Sequence, residues 1–131
     1  MIAIGTNVIL RFLTRQPKAH FEAARALFRS GGSFVSTPVV METYFTLTGS
    51  VLGFSDEHAL EALDAVLHLP GVSLQHAKEV SAAIDLARKG LPFKDACVLA
   101  FSAEATHLLT FDKAFVKRAA KFKVQPTVGV P

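Results

Sequence analysis

Residues 1–13 read MIAIGTNVILRFL, an apolar segment with one break. The first four residues predict a short buried strand, and positions 8–13 resume the apolar pattern at helical spacing. Gly5, Thr6 and Asn7 form the break, and Thr6 or Asn7 suits the N-cap of the helix that follows. A strand that stops on small polar residues is of interest because α/β proteins form their sites at the carboxyl ends of strands.

Strand and helix patterns alternate along the rest of the chain. Caps, prolines, glycines and apolar spacing predict helices over 18–30, 36–52, 55–69, 76–90, 92–105 and 112–122, and strands over 33–36, 72–75, 107–111 and 126–130. This alternation favours a single domain over residues 1–131, with a parallel sheet covered by helices on both faces.

The composition limits the class of protein. The chain has 131 residues, of which 50% are hydrophobic, one cysteine and a formal net charge of +3. A core can form, an intramolecular disulfide cannot, and a nucleic-acid partner is compatible with the charge. No apolar run approaches the roughly 18 residues of a membrane span, and Arg11 and Arg15 interrupt what would be a signal peptide. We expect a soluble cytoplasmic protein that does not enter a membrane.

Three acids lie at or just after predicted junctions. Glu42 is set in an almost wholly apolar helix, Asp95 is in the first turn of a helix, and Asp112 directly follows a strand. Each alone has a structural explanation: a solvated stripe, a favourable helix-dipole position and an N-cap. Together they could meet at the carboxyl edge of one sheet, where their repulsion would require a cation. Mg²⁺ and Mn²⁺ prefer such oxygen ligands and support phosphodiester hydrolysis.

Four segments resemble the PIN-domain ribonucleases, and in particular the VapC-type toxins of bacterial toxin–antitoxin pairs. They are IGTNVILRFL at 4–13, VVMETYFTL at 39–47, FKDACVLAFSAEA at 93–105 and LLTFDKAF at 108–115. The resemblance covers nearly the whole chain, and LLTFD and the early TN are its most diagnostic parts. It implies a PIN-like three-layer α/β/α fold with a short parallel sheet flanked by helices.

The resemblance also implies a site and an activity. Glu42, Asp95 and Asp112 would be the catalytic, metal-binding acids, and the small polar residues Thr6, Asn7 and Thr110 would support them. The family implies cleavage of RNA that depends on Mg²⁺ or Mn²⁺, a cytoplasmic homodimer and inhibition by a cognate antitoxin protein.

Gly5 departs from the family pattern. Members carry an aspartate at the tip of the first strand, and this chain has no side chain there. Loss of a residue that only supports a metal ligand typically costs about 10–100-fold in affinity or activity, and loss of a ligand should cost at least that. We therefore expect this chain to be nearly or wholly inactive.

Several explanations of Gly5 remain open. It is either an inactivating change of an original aspartate, selected because an active ribonuclease harms its expression host, or a natural residue of a protein that has become non-catalytic. Glu42, Asp95 and Asp112 are retained, which favours the loss of an original aspartate. A third explanation is a turn residue that needs a positive φ. The alternative functions are a non-catalytic PIN-like module that binds RNA or an antitoxin, and a small-molecule-binding domain, although GTNVIL matches no phosphate-binding glycine loop.

Candidate RNA contacts are cationic. Arg11 and Arg15 are four residues apart on one predicted helix, and Lys94 is next to Asp95. A basic run over residues 113–123 could steer RNA phosphates or simply form a solvated helix face. The aromatic residues do not show the interleaved pattern of an RNA-stacking surface, so we assign most of them to the core and a few to a partner surface.

Overall fold

The computed structural model describes all residues from Met1 to Pro131. The chain divides into two compact units, unit 1 over Met1–Ala77 and unit 2 over Lys78–Pro131. Each unit contains parallel strands and helices of its own. One domain over residues 1–131 stays a prediction. No helix of the chain is both long enough and apolar enough to cross a membrane.

Unit 1 contains a three-stranded parallel sheet and four helices. Its strands are β1 (Ile2–Ala3), β2 (Ser33–Val35) and β3 (Val72–Leu74), and its helices are α1 (Thr6–Thr14), α2 (Lys18–Ser30), α3 (Thr37–Thr48) and α4 (Asp56–Leu67). The strand order is β1-β2-β3, with Ser33 opposite both Ile2 and Val72. Helix α1 packs on α2 and α3, and α3 packs on α4.

Local sequence explains the ends of these helices. Ser55 caps α4, as predicted, and its Oγ accepts a hydrogen bond of 3.1 Å from the N–H of His58. Pro38 occupies the first turn of α3, where its missing N–H costs nothing. Gly31 ends α2 with a φ of 75°, a conformation that favours glycine. Apolar side chains on the inner faces of these elements are fully buried, namely Ile9, Val35, Val40, Leu47, Leu63 and Val66.

The first strand and first helix differ from the prediction. β1 is the edge strand of its sheet, and both of its residues are exposed rather than buried, whereas Ile4 just beyond it is buried. The N-cap of α1 is Gly5 rather than Thr6 or Asn7, because the helix already begins at Thr6. The carbonyl of Gly5 accepts a hydrogen bond of 3.2 Å from the N–H of Val8.

Unit 2 contains a two-stranded parallel sheet and three helices. Its elements are α5 (Ala77–Arg88), which begins at the boundary between the units, α6 (Phe93–Phe101), β4 (His107–Leu109), α7 (Lys113–Ala119) and β5 (Thr127–Gly129). His107 is opposite Thr127, and Leu109 is opposite Gly129. The predicted stop after α5 is confirmed at Gly90, which has a φ of 110°.

The strands are parallel, as predicted, but they form two sheets rather than one. The helix that carries Asp95 follows another helix through residues 89–92, not a strand. β2, which precedes the helix of Glu42, and β4, which precedes Asp112, belong to different sheets, so one shared sheet edge is not what would bring the acids together, and their meeting stays a prediction. β4 also ends before Thr110, although the N–H of Thr110 still donates a hydrogen bond of 2.9 Å to the carbonyl of Gly129.

Ser33 carries a buried hydroxyl that has no hydrogen-bond partner. Its exposed fraction is 1%, at the first position of β2. A buried polar group without a partner costs about 1–3 kcal/mol. We therefore expect Ser33→Ala to raise the free energy of unfolding by about 1 kcal/mol in urea titrations. The exposed Ser73 of β3 offers a control, and Ser73→Ala should change this free energy by less than about 0.5 kcal/mol. Destabilisation by Ser33→Ala would mean that the hydroxyl has a bound-water partner.

Candidate functional site

The tip of β1 does not need a glycine. Gly5 has φ −84° and ψ 164°, which is extended backbone open to any residue, so the positive-φ explanation is excluded. A Cβ atom built at Gly5 would meet no atom within 4 Å. The position therefore has room for the Cβ atom of an aspartate, and as an N-cap residue aspartate is slightly better than glycine.

Thr6 and Glu42 are joined directly within unit 1. The hydroxyl of Thr6 donates a hydrogen bond to Oε1 of Glu42, and this bond links the first turn of α1 to α3. Thr6 is buried, whereas Glu42 is exposed on the solvated stripe of its apolar helix. The bond engages one carboxylate oxygen of Glu42, and the role of Thr6 in supporting a metal ligand stays a prediction.

Asn7 and Arg11 line one cavity of about 340 Å³ in unit 1, together with His20 of α2. Arg15 does not share this surface. It lies beyond the end of α1 with a φ of 59°, which corrects the prediction that both arginines are on one helix. The guanidinium of Arg15 lies 5.6 Å from the centre of the Phe21 ring. A separate cavity of about 630 Å³ contains Arg15 and two arginines of α2 that the sequence did not single out, Arg25 and Arg29.

Unit 2 brings four predicted site residues together. Lys94, Asp95, Thr110 and Asp112 line a cavity of about 290 Å³, and the rest of its wall is apolar, from Val98, Leu108, Leu109 and Phe115. Asp95 lies in the first turn of α6, and Thr110 and Asp112 lie between β4 and α7. Two carboxylates therefore line one small cavity, and carboxylate oxygens are ligands that hard divalent cations prefer.

The electrostatics of Asp95 are unfavourable in the absence of a cation. Burial, and then the charge of Asp112, raise the pKa of Asp95 above its usual 3.8, against the smaller lowering effects of Arg118 and Lys94. The side chain of Asp95 is only 14% exposed, and Nη1 of Arg118 lies 3.8 Å from its Oδ2. A loose ion pair with a half-exposed arginine compensates little of this cost.

Asp112 is held by backbone hydrogen bonds on both sides. Its Oδ1 accepts a hydrogen bond of 3.1 Å from the N–H of Phe115, and its own N–H donates to Oγ1 of Thr110 at 3.0 Å. Asp112 is thus the N-cap of α7, as its structural explanation predicted. Capping occupies Oδ1 alone, so the second oxygen remains available to a ligand.

The predicted acids are divided between the units: Glu42 belongs to unit 1, and Asp95 and Asp112 belong to unit 2. Within neither unit do three His, Cys, Asp or Glu side chains form a group that could hold a metal ion. Arg118 is a residue that sequence reasoning missed. It was assigned to the basic run, and its pairing with Asp95 leaves no local sequence signal because it depends on how α7 packs on its own unit.

The sequence matches the family model of the PIN domain over residues 2–121. The chain belongs to the PIN-domain family. This membership confirms the predicted fold class, a PIN-like α/β fold with short parallel strands and flanking helices. Among solved structures, this PIN domain is similar to VapBC2 from Rickettsia felis bound to a DNA fragment from their promoter, with 19% sequence identity and a TM-score of 0.41, over 98% of this chain and 97% of that chain. No curated protein matches the chain.

Proposed function

We propose that this PIN domain is the toxin component of a toxin–antitoxin pair, a metal-dependent endoribonuclease that hydrolyses RNA phosphodiester bonds. The observation that carries the proposal is the pair Asp95 and Asp112, which line one cavity and repel each other. A cavity carboxylate whose pKa is raised by burial and by a neighbouring carboxylate, as that of Asp95 is, is a common feature of functional sites.

Carboxylate oxygens are the type of donor that Mg²⁺ and Mn²⁺ prefer. We propose that Glu42, Asp95 and Asp112 supply carboxylate ligands, as the resemblance to the PIN-domain ribonucleases implies. A bound divalent ion would polarise the phosphate and activate a water for in-line attack. Thr6 orients Glu42 through its hydroxyl, and the N–H of Phe115 orients Asp112.

Cationic and amide side chains around these acids suit an RNA substrate. Lys94 lines the cavity of the two aspartates, where its ammonium group can contact a phosphate. Asn7 and Arg11 share a cavity between α1 and α2, and we propose that they contact RNA there. Arg15 is a weaker candidate, because its guanidinium is already over the ring of Phe21.

Gly5 limits this activity. Without a carboxylate at the tip of β1, a water must replace one ligand, and we expect metal binding to weaken. Gly5 also favours the second candidate function, a non-catalytic PIN-like module that binds RNA or an antitoxin. The open space around Gly5 supports the explanation that an aspartate was lost, since nothing in the fold requires the glycine.

Gly5→Asp tests the proposal, with Gly5→Asn as its matched control. Both side chains have nearly the same size and shape and similar N-cap preference, but only the aspartate carries a charge. We expect Gly5→Asp to increase RNA cleavage with Mg²⁺ or Mn²⁺ by at least about 10–100-fold, and EDTA to abolish it. Gly5→Asn should remain at the level of the unsubstituted chain. If neither variant cuts RNA, the non-catalytic module is the better function.

The partners follow from the same resemblance. We propose a homodimer and an inhibitory antitoxin protein. The cavity in unit 1 that contains Arg15, Arg25 and Arg29 supports an antitoxin, because its floor is aromatic and apolar and no acidic side chain lines it. A protein segment with apolar and acidic side chains would complement this surface.

A further inference from the structure

Phe111 is the most exposed aromatic side chain of the chain, with an exposed fraction of 82%. It lies between Thr110 and Asp112, two of the residues that line the cavity of unit 2. Leu109, which also lines that cavity, is 59% exposed. A single exposed apolar residue needs no explanation on its own. An exposed aromatic ring next to a proposed phosphodiester-cleaving site does need an explanation, because a substrate would pass it.

The backbone around Phe111 is fixed on both sides. Before it, the N–H of Thr110 bonds to the carbonyl of Gly129 at 2.9 Å and ties the segment to β5. After it, the N–H of Asp112 bonds to Oγ1 of Thr110, and Oδ1 of Asp112 anchors the start of α7. The exposed ring is therefore carried by a backbone that is already held in place, so little backbone conformational entropy is lost when the ring contacts a ligand.

The charges beside Phe111 favour a nucleic acid over a protein. Lys94 lines the adjacent cavity, and Lys113 directly follows Asp112 and is exposed. Protein–protein interfaces are depleted of charged residues at their core, whereas proteins that bind single strands combine cations for phosphates with aromatic rings for bases. A base can reach the ring only when it is unstacked, which selects a single strand over a duplex.

We propose that Phe111 is a stacking platform for one base of a single-stranded RNA whose adjacent phosphate occupies the cavity of Asp95 and Asp112. The proposal rests on the proposed function and adds a residue that binds a base beside its site. Phe111 binds the substrate and takes no part in the chemistry. Its ring fixes the register of the strand, so that the phosphate beside the bound base is the one presented to the carboxylates.

The chain contains no tryptophan, so Phe111→Trp creates a single fluorescent reporter at the ring itself. The titration uses a short single-stranded RNA with Mg²⁺ and retains Gly5, because we expect the chain with Gly5 to cleave little or no RNA. We expect the emission of Phe111→Trp to be quenched by the single strand and not by a duplex of the same sequence. The control is Val124→Trp, because Val124 is 43% exposed and precedes β5, at the end of the sheet opposite Phe111. Its emission should not change.

A second measurement tests whether the ring of Phe111 contributes to RNA affinity or only lies near the bound RNA. With a labelled RNA and fluorescence anisotropy, we expect Phe111→Ala to weaken binding about 5- to 100-fold, and Phe111→Tyr to retain it. Binding that Phe111→Ala leaves unchanged would overturn the platform and leave the ribonuclease function intact. No binding of RNA by any version would overturn both. A change in the oligomeric state of Phe111→Ala, with RNA affinity unchanged, would also overturn the proposal and identify a self-association surface.

Discussion

In the Gly5→Asp protein, replacement of Asp112 by asparagine will lower metal-dependent RNA cleavage by at least about 100-fold while the protein stays folded. Cleavage and folding respond differently because the side chain of Asp112 caps α7 and is also a proposed metal ligand. Its Oδ1 caps α7 by accepting the N–H of Phe115, and an asparagine oxygen can accept the same bond. The amide has no negative charge, so it is a poor ligand for Mg²⁺ or Mn²⁺.

Two further variants define the measurement. Asp112→Ala removes both the cap and the charge, so it should lose the same activity and also about 0.5–2 kcal/mol of stability. Asp85→Asn changes an exposed acid of α5 in the same unit and should leave cleavage unchanged. Initial rates of cleavage and urea unfolding curves are measured on all of them. If Asp112→Asn retains cleavage within about threefold of the parent, Asp112 is only a helix cap, and the proposed metal site is incorrect.

Much of the fold was predictable because it depends on short-range physics. α2 and α4 were placed from apolar spacing, and Ser55, Pro38 and the glycines acted as caps and stops in the structure as they do in general. What failed was decided by long-range packing. The sequence cannot tell that β1 is an exposed edge strand, or that the strands divide between two sheets, because pairing partners are far apart in the chain.

In the candidate site, too, the sequence predicted what depends on neighbouring residues and missed what depends on long-range packing. Thr110 and Asp112 are near neighbours in sequence, and the structure adds Lys94 and Asp95 to the cavity that these two line. The pairing of Arg118 with Asp95 was missed, because it depends on how α7 packs rather than on spacing. Exposure is also invisible in a sequence: a phenylalanine between two site residues was assigned to the core or to a partner surface, and only the structure gives the exposed fraction of Phe111.

In EDTA, Asp95→Asn will raise the melting temperature of the protein at neutral pH, although it removes a proposed catalytic residue. Burial and the charge of Asp112 raise the pKa of Asp95 in the folded state, so its ionised form is less favourable there than in the unfolded chain. Asparagine resembles the neutral acid and removes this cost. The opposing loss is the contact with Arg118, a 3.8 Å pair whose arginine is 48% exposed, and such pairs contribute only about 0–1 kcal/mol.

The pH dependence of the free energy of unfolding tests independently whether ionised Asp95 destabilises the fold. The folded protein binds the proton of Asp95 more tightly than the unfolded chain, so the free energy of unfolding falls as pH rises from the usual pKa of 3.8 through the raised pKa of the folded state. The asparagine of Asp95→Asn has no carboxyl group that could titrate in this pH range. We therefore expect its advantage to be full at neutral pH, to shrink as pH falls through that window, and to be lost below it. Asp85→Asn, an exposed acid, should show no such advantage.

A divalent cation should make the protein with Asp95 more stable than Asp95→Asn, the reverse of the order expected in EDTA. In the Gly5→Asp background, Mn²⁺ binds the folded state alone and raises its melting temperature by mass action. Without Asp95 the cation loses a ligand, so Asp95→Asn should gain little from Mn²⁺ and should not cut RNA. A domain of this length shifts by about 4 °C per kcal/mol, which differential scanning fluorimetry resolves. If Asp95→Asn is less stable than its parent in EDTA at neutral pH, the ion pair with Arg118 outweighs the cost of burial and the repulsion from Asp112. Asp95 would then be a structural acid, which folding maintains without any need for a metal.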